Sequence, residues 1–326
     1  MVDKIKKHQR ALLGVLIIIC MGVILVGGLY YVETLKKNLQ SSAIQNVMTV
    51  TKQQQQAFDN FIEGDRNRLH SYANYFSTNE HNDAEEVQHV LTLFKEVDAT
   101  CSVVCLDDGW FCSNTSNTIH QLAEEDLNIY RGLTGSGIRD SFYGIVSGAP
   151  RFGYYESFTF TNGHKGLIQK SYDRTKVSEV FSLSFYNDQG FAYVVNQRGD
   201  ILLRSVGMID DQLYQNIFDI LTGTIGTQKD IDQFAQALQE EEEGSITFTG
   251  DMGSYVYTYV PVVNVEDWYL VSVVPMEAIT AETSRMLHNS QMTFAILGLI
   301  LSLCAIFIVL IWRTHKEIEA KDEEVK

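Results

Sequence analysis

The 326-residue sequence predicts an α+β protein: two antiparallel sheets with helices, a long N-terminal helix, and a transmembrane helix on either side. Three observations carry that prediction. Hairpin, helix and three strands follow one another twice, at a spacing of about 90–100 residues, and such a unit fits an antiparallel sheet with helices against one face. Apolar residues recur on three- and four-residue steps from Val32 to Phe76. Two 21-residue runs, 11–31 and 292–312, carry no charge, and about 20 apolar residues cross the hydrocarbon layer as a helix.

The elements follow in order. Residues 1–10 hold Lys4, Lys6, Lys7 and Arg10 against Asp3, so this end is expected in the cytoplasm. Residues 11–31 form the first expected span. A cleaved signal peptide is the alternative, but its apolar region would be shorter, about 7–15 residues, and this run ends in the interfacial pair Tyr30-Tyr31. Gly27-Gly28 offers a helix-packing face. Residues 32–100 comprise the long helix and a second, Asp83 to Val97. The long helix places Leu35, Leu39, Ala43, Val47, Val50, Phe58, Phe61, Leu69, Tyr72 and Phe76 on one stripe, with Gln54 and Asp65 in its two gaps. That stripe packs along the chain's own domains or forms a dimer seam with a second copy. Gln53–Gln56 reads as a solvated face.

Residues 101–185 make the first repeat. Cys101–Leu106 and Trp110–Cys112 flank Asp107-Asp108-Gly109, a strong hairpin signal. A helix follows at Glu124–Arg131, then strands Ile138–Tyr143, Tyr154–Phe160 and Lys165–Tyr172, the last two joined at Asn162-Gly163. A short helix, Thr175–Leu183, closes it. Residues 186–275 repeat the plan. Strands Phe191–Asn196 and Ile201–Ser205 surround Gln197-Arg-Gly-Asp. Helices lie near Asp211–Leu221 and Lys229–Gln239. Strands Ser245–Thr249, Tyr255–Val262 and Trp268–Val274 complete the sheet. Pro275 suits the first turn of a helix, where its missing N–H would be unbonded anyway. A juxtamembrane helix, 276–291, then leads without a break into the span 292–312. Residues 313–326 read as the start of a cytoplasmic signalling helix.

Composition bounds the function. Hydrophobic content of 45% and charged content of 20% suit ordinary cores, and three prolines argue against long disordered linkers. A net charge of −16 disfavours nucleic acid as a partner. The eight histidines are scattered, and His81 and His89 lack metal-ligand spacing. Nucleophile-elbow and phosphate-loop motifs are missing. Gly132, Gly135 and Gly137 read as a turn, and Glu240–Glu243 as a solvated helix end. No cofactor, metal site or catalytic residue is expected in this chain.

Phe191-Ala-Tyr-Val-Val-Asn-Gln-Arg-Gly-Asp-Ile-Leu and Asp267-Trp-Tyr-Leu-Val-Ser-Val-Val-Pro resemble the first hairpin and the final strand of the membrane-proximal unit of the double Cache domain, and Lys165-Gly-Leu-Ile-Gln-Lys-Ser-Tyr-Asp resembles the last strand of its membrane-distal unit. That domain is an extracytoplasmic, PAS-like sensor of bacterial transmembrane receptors. The resemblance covers about Val32 to Glu282. It implies a membrane-distal and a membrane-proximal PAS-like unit. It also implies a small-molecule ligand (amino acid, organic acid or amine), usually held in the distal unit.

Several residues suit such a pocket. Tyr130 and Arg131 end the distal helix, Arg139 and Tyr143 lie on the next strand, Tyr155 on another, and Asp173 ends the last. Arginine fits a carboxylate through paired donors, and aspartate fits an ammonium. In the proximal unit Arg204, Tyr257 and Tyr259 are weaker candidates. A two-residue Asp108-Gly109 turn would set Cys105 opposite Cys112, close enough to bridge. The alternatives are a bond involving Cys101, or buried thiols.

The expected function is therefore extracytoplasmic small-molecule sensing by a two-pass plasma-membrane protein, with both termini cytoplasmic and residues 32–291 outside. Its expected partners are the lipid bilayer, a second copy of the chain, and a cytoplasmic output domain or protein. The output expected is a histidine kinase, with a diguanylate cyclase or a chemoreceptor as alternatives. A membrane-anchored protein-binding scaffold is the reading from a different class.

Overall fold

A computed structural model of the chain describes residues 2–94, 100–173, 190–205, 215–224, 227–240, 242–250 and 253–324. The chain divides into two units, 45–278 and a second made of 1–44 with 279–326. Helix α1 is Val2–Thr78 and α2 is Ala84–Leu93; the strand ranges are β1 Thr100–Cys105, β2 Trp110–Ser113, β3 Ser116–Gln121, β4 Ser136–Tyr143, β5 Pro150–Thr159 and β6 Lys165–Asp173, with α3 Glu124–Arg131 between β3 and β4. There follow β7 Phe191–Asn196, β8 Ile201–Arg204, α4 Ile217–Thr224, α5 Gln228–Gln239, β9 Gly244–Gly250, β10 Gly253–Pro261, β11 Trp268–Pro275 and α6 Met276–Glu324.

In the unit 45–278 the strands make two sheets, both antiparallel throughout. One has the order β3-β2-β1-β6-β5-β4 and the other β8-β7-β11-β10-β9. The orders correspond strand for strand once β3 is set aside as an extra edge strand. The repeated strand order of the sequence is thus present. The α+β architecture with a long first helix and two antiparallel sheets is as read from the sequence.

Apolar alternation explains the layering, because successive strand residues face opposite sides. One cluster joins Phe58, Ile62, Leu69 and Phe76 of α1 to Val103, Phe152 and Ile168 of the first sheet and to Val194, Trp268 and Leu270 of the second. The predicted stripe of α1 is therefore used within the chain from Val47 onwards: Val47, Phe58, Leu69 and Phe76 are buried, and Val50, Phe61 and Tyr72 pack against the same core. The other face of the second sheet carries α4 and α5, through Leu221, Phe234 and Leu238 against Tyr193, Tyr257 and Val271. The other face of the first sheet carries α3, through Leu127 and Tyr130 against Val104 and Leu167.

Asp65, one of the two gaps in the stripe, is fully buried. It accepts from Lys170 Nζ at 2.8 Å and Arg68 Nη2 at 2.5 Å, and from the Tyr172 hydroxyl. A buried carboxylate survives only with such partners. Gln55, inside the run expected to be solvated, is also buried and donates to Asp59.

Several expectations change. The Cys105–Cys112 bridge is absent: Cys101, Cys105 and Cys112 are buried and not joined by disulfides. The register sets Cys112 opposite Val103, because the β1–β2 connection is four residues long, closed by Gly109 N–H to Cys105 O at 2.9 Å. Gly109 takes φ +76° there, a conformation that favours glycine. Burial pushes the Cys112 thiol up to about 12. Pro275 ends β11, paired with Tyr255, and the helix begins one residue later. The expected helix 175–183 lies outside the described residues.

In the second unit, α1 and α6 meet where Phe294 packs against Gly28 and Tyr31, its ring 5.7 Å from that of Tyr31. Among the described residues one helical segment, His288–Ile311, is long and apolar enough to cross a membrane.

Candidate functional site

The face of the first sheet that carries α3 holds a cavity of about 60 Å3. Its floor is polar. Thr100 and Ser102 come from β1, Arg151 from β5, and Gln169 and Ser171 from β6. Its walls are Phe111, Tyr130 and Phe142, and the β4–β5 turn at Gly144–Ser147 closes one side. Period two produces this arrangement. Gln169 and Ser171 face the cavity, while Lys170 and Tyr172 point through the sheet to Asp65 of α1.

Arg151 is the buried cation of the site, 9% exposed. Its Nε donates to Ser171 Oγ at 2.9 Å, and Nη2 donates to Thr100 Oγ1 at 2.7 Å and to Ser171 O at 2.9 Å. Nη1 makes no hydrogen bond among the described residues. Burial pushes the guanidinium pKa down, and Asp173, opposite it across the β5–β6 register, opposes that shift. Arginine keeps its charge in any case. Among the described residues no carboxylate lines the cavity.

The predicted site residues divide. Tyr130 lines the cavity, and burial pushes its phenol up against the opposing charge of Arg139. Arg139 braces the site. It donates to Gln169 Oε1 at 2.9 Å and stacks 4.0 Å over Phe142 and 5.1 Å from the Tyr130 ring. Tyr155 lies instead in a separate groove of about 330 Å3 with Glu63, Arg66, His70 and Glu156. Arg131 turns away, to Glu124 at 2.7 Å and Leu106 O at 3.0 Å. Tyr143 is 76% exposed. Asp173 stands beside Arg151 without lining the cavity. In the second sheet Tyr257 and Tyr259 are core residues, and Arg204 is partly exposed on β8.

Arg151, Ser102, Gln169 and Ser171 escaped the sequence reading. The available signal was polar residues at alternate positions within otherwise apolar strands. Arg151 also lay before the predicted start of its strand at Tyr154.

No family model matches the chain, and no curated protein matches it in sequence. Solved structures do match in shape. The ligand-binding domain of the Pseudomonas fluorescens chemoreceptor CtaA, in complex with L-isoleucine, superposes with a TM-score of 0.58 at 11% identity, covering 76% of this chain and 98% of that one. The extracellular domain assigned to a histidine kinase, mmHK1S-Z2, gives 0.54 at 14% identity, covering 73% and 98%. The ligand-binding domain of the Pseudomonas aeruginosa amino-acid chemoreceptor PctC, with GABA, gives 0.51 at 11% identity, covering 71% and 99%. The fold is that of extracellular sensor domains of the double Cache type. Histidine kinases and chemoreceptors are the particular proteins that carry these solved domains.

Proposed function

We propose that this chain is the sensing and membrane portion of a bacterial receptor and that the α3-side cavity takes a small carboxylate, an organic acid or an amino acid, on Arg151. The single observation behind the ligand class is a buried arginine, with an unused Nη1, at a cavity without acidic lining. With Nε and Nη2 already engaged, Nη1 offers a charge-assisted N–H···O bond that favours a carboxylate, and an amine alone would find no counter-charge among the described lining residues. GABA and isoleucine, the ligands of two similar domains, each carry a carboxylate. The cavity is small, so a ligand of more than a few heavy atoms enters by displacing the β4–β5 turn.

Strand β6 presents Gln169 and Ser171 to the cavity and Lys170 to Asp65, so a ligand that shifts β6 acts on α1. A ligand changes such a balance only by its affinity difference between two states. We assign 11–31 and 292–312 as two spans with cytoplasmic termini, a homodimer as the signalling unit, and a histidine kinase as the output. Solved domains of histidine kinases and of chemoreceptors share the fold alike, and the choice of a kinase rests on the charged helical exit that begins at Arg313.

The test is a thermal-shift screen of the full chain in detergent against small carboxylates, amino acids and amines. A ligand at about 100 times its Kd stabilises by about 2.7 kcal/mol, roughly 5–10 °C for a domain of this size. Arg151→Gln should abolish the shift, and Arg131→Ala should leave it. A shift that survives Arg151→Gln, or one produced by amines alone, overturns the assignment.

A further inference from the structure

At the end of the first sheet, where β1 turns to β2 and β5 turns to β6, three side chains of different chemistry converge. Cys105 ends β1, Asp108 lies in the turn after it, and His164 lies in the turn before β6. The β1–β6 register, Cys105 opposite Gly166, brings them together. Two further bonds stitch the turns: Leu106 N–H donates to Lys165 O at 2.8 Å, and Lys165 N–H to Asp107 Oδ2 at 2.6 Å. The ligand-capable atoms are Cys105 Sγ, Asp108 Oδ2 and His164 Nδ1. Their separations are 3.5 Å (S to O), 4.0 Å (S to N) and 2.9 Å (N to O).

We propose that Cys105, Asp108 and His164 form a transition-metal site, for zinc, that ties the two turns together. Tetrahedral zinc has bonds of about 2.3 Å to sulfur and about 2.0–2.2 Å to nitrogen and oxygen, so sulfur would sit about 3.5 Å from each partner and nitrogen about 3.3 Å from oxygen. All three separations lie within about 0.5 Å of those edges, a change that side-chain rotation supplies. Thiolate with imidazole selects zinc over magnesium or calcium. Cys105 is fully buried, while the His164 and Asp108 side chains are 41% and 47% exposed. The site thus has a dry floor and an open side for metal entry and a fourth ligand. It is separate from the α3-side cavity, because Cys105 faces the α1-side core. A second input of this kind stands whether or not Arg151 holds a carboxylate.

The test uses the full chain in detergent, kept reduced, with cobalt(II) as the probe. One equivalent of cobalt should produce a thiolate-to-cobalt charge-transfer band in the near ultraviolet, and zinc should displace it. Cys105→Ser should abolish the band. His164→Ala and Asp108→Asn should each weaken binding by more than about 100-fold, beyond the roughly 10–100-fold typical of losing only a supporting partner. Circular dichroism reports whether each variant folds. If Cys105→Ser does not fold, the two exposed positions decide the matter. A wild-type protein without the band, or a band unchanged by His164→Ala, overturns the proposal.

Discussion

Asp65 and Lys170 show how one residue can tie two layers together. Both are about fully buried, and the carboxylate also holds Tyr172 and Arg68. Removing one partner of a buried pair costs about 3–5 kcal/mol, because the other charge is left uncompensated. Lys170→Met leaves Asp65 its bonds to Arg68 and Tyr172, so it should lower the unfolding free energy by less, about 1.5–3 kcal/mol, the range for a hydrogen bond to a charged group, and adding Asp65→Asn should recover part of the loss. A double-mutant cycle in urea measures the coupling. Additive effects would show that the two charges do not depend on each other. The cysteines give a second test at this scale. Denatured without reductant, Cys101, Cys105 and Cys112 should each take up an alkylating reagent, counted by mass. A resistant pair would contradict the unbridged cysteines of the structure.

At the scale of elements, the β7–β8 turn is held by a compact polar cluster. Asp200 accepts from Asn196 Nδ2 at 2.9 Å, from Asn216 Nδ2 at 3.2 Å and from Arg198 Nε at 3.2 Å. These bonds, Asn196 first, hold its carboxyl below the ordinary 3.8. A folded-state pKa below the unfolded value means that the ionised form is preferred in the fold. The contribution is full above the unfolded value and is lost as pH falls through the depressed one. Wild type should thus lose its stability margin over Asp200→Asn on acidification below about pH 4. Denaturant titrations of both proteins check this, and a margin that is constant down to about pH 2 would refute it. Element boundaries show what the sequence hides. Strand β3, Ser116–Gln121, is a mostly exposed edge strand, and with no apolar alternation it was not predicted. The α3 boundaries, Glu124–Arg131, were legible because their apolar and acidic positions follow helical spacing.

At the scale of the whole molecule, the receptor reading places the unit 45–278 on the outer side of a membrane. A protease added to intact cells should cut within that unit and spare the basic N-terminus. Cleavage only after lysis would refute the placement. Strand β11 passes into α6 with no intervening loop, which is the covalent route from the second sheet towards the apolar segment His288–Ile311.

By itself the sequence determined the periodicities: the stripe of α1, the alternating strands, the glycine turns and the apolar run near the C-terminus. Those are local, written in neighbours a few residues apart. Only the tertiary structure decided what the stripe packs against, that Cys112 faces Val103 rather than Cys105, and which polar residues share a cavity. Thr100, Arg151 and Ser171 meet through strand register, as do Cys105 and His164. Register is set by pairing between segments far apart in the chain, so no local pattern announces it.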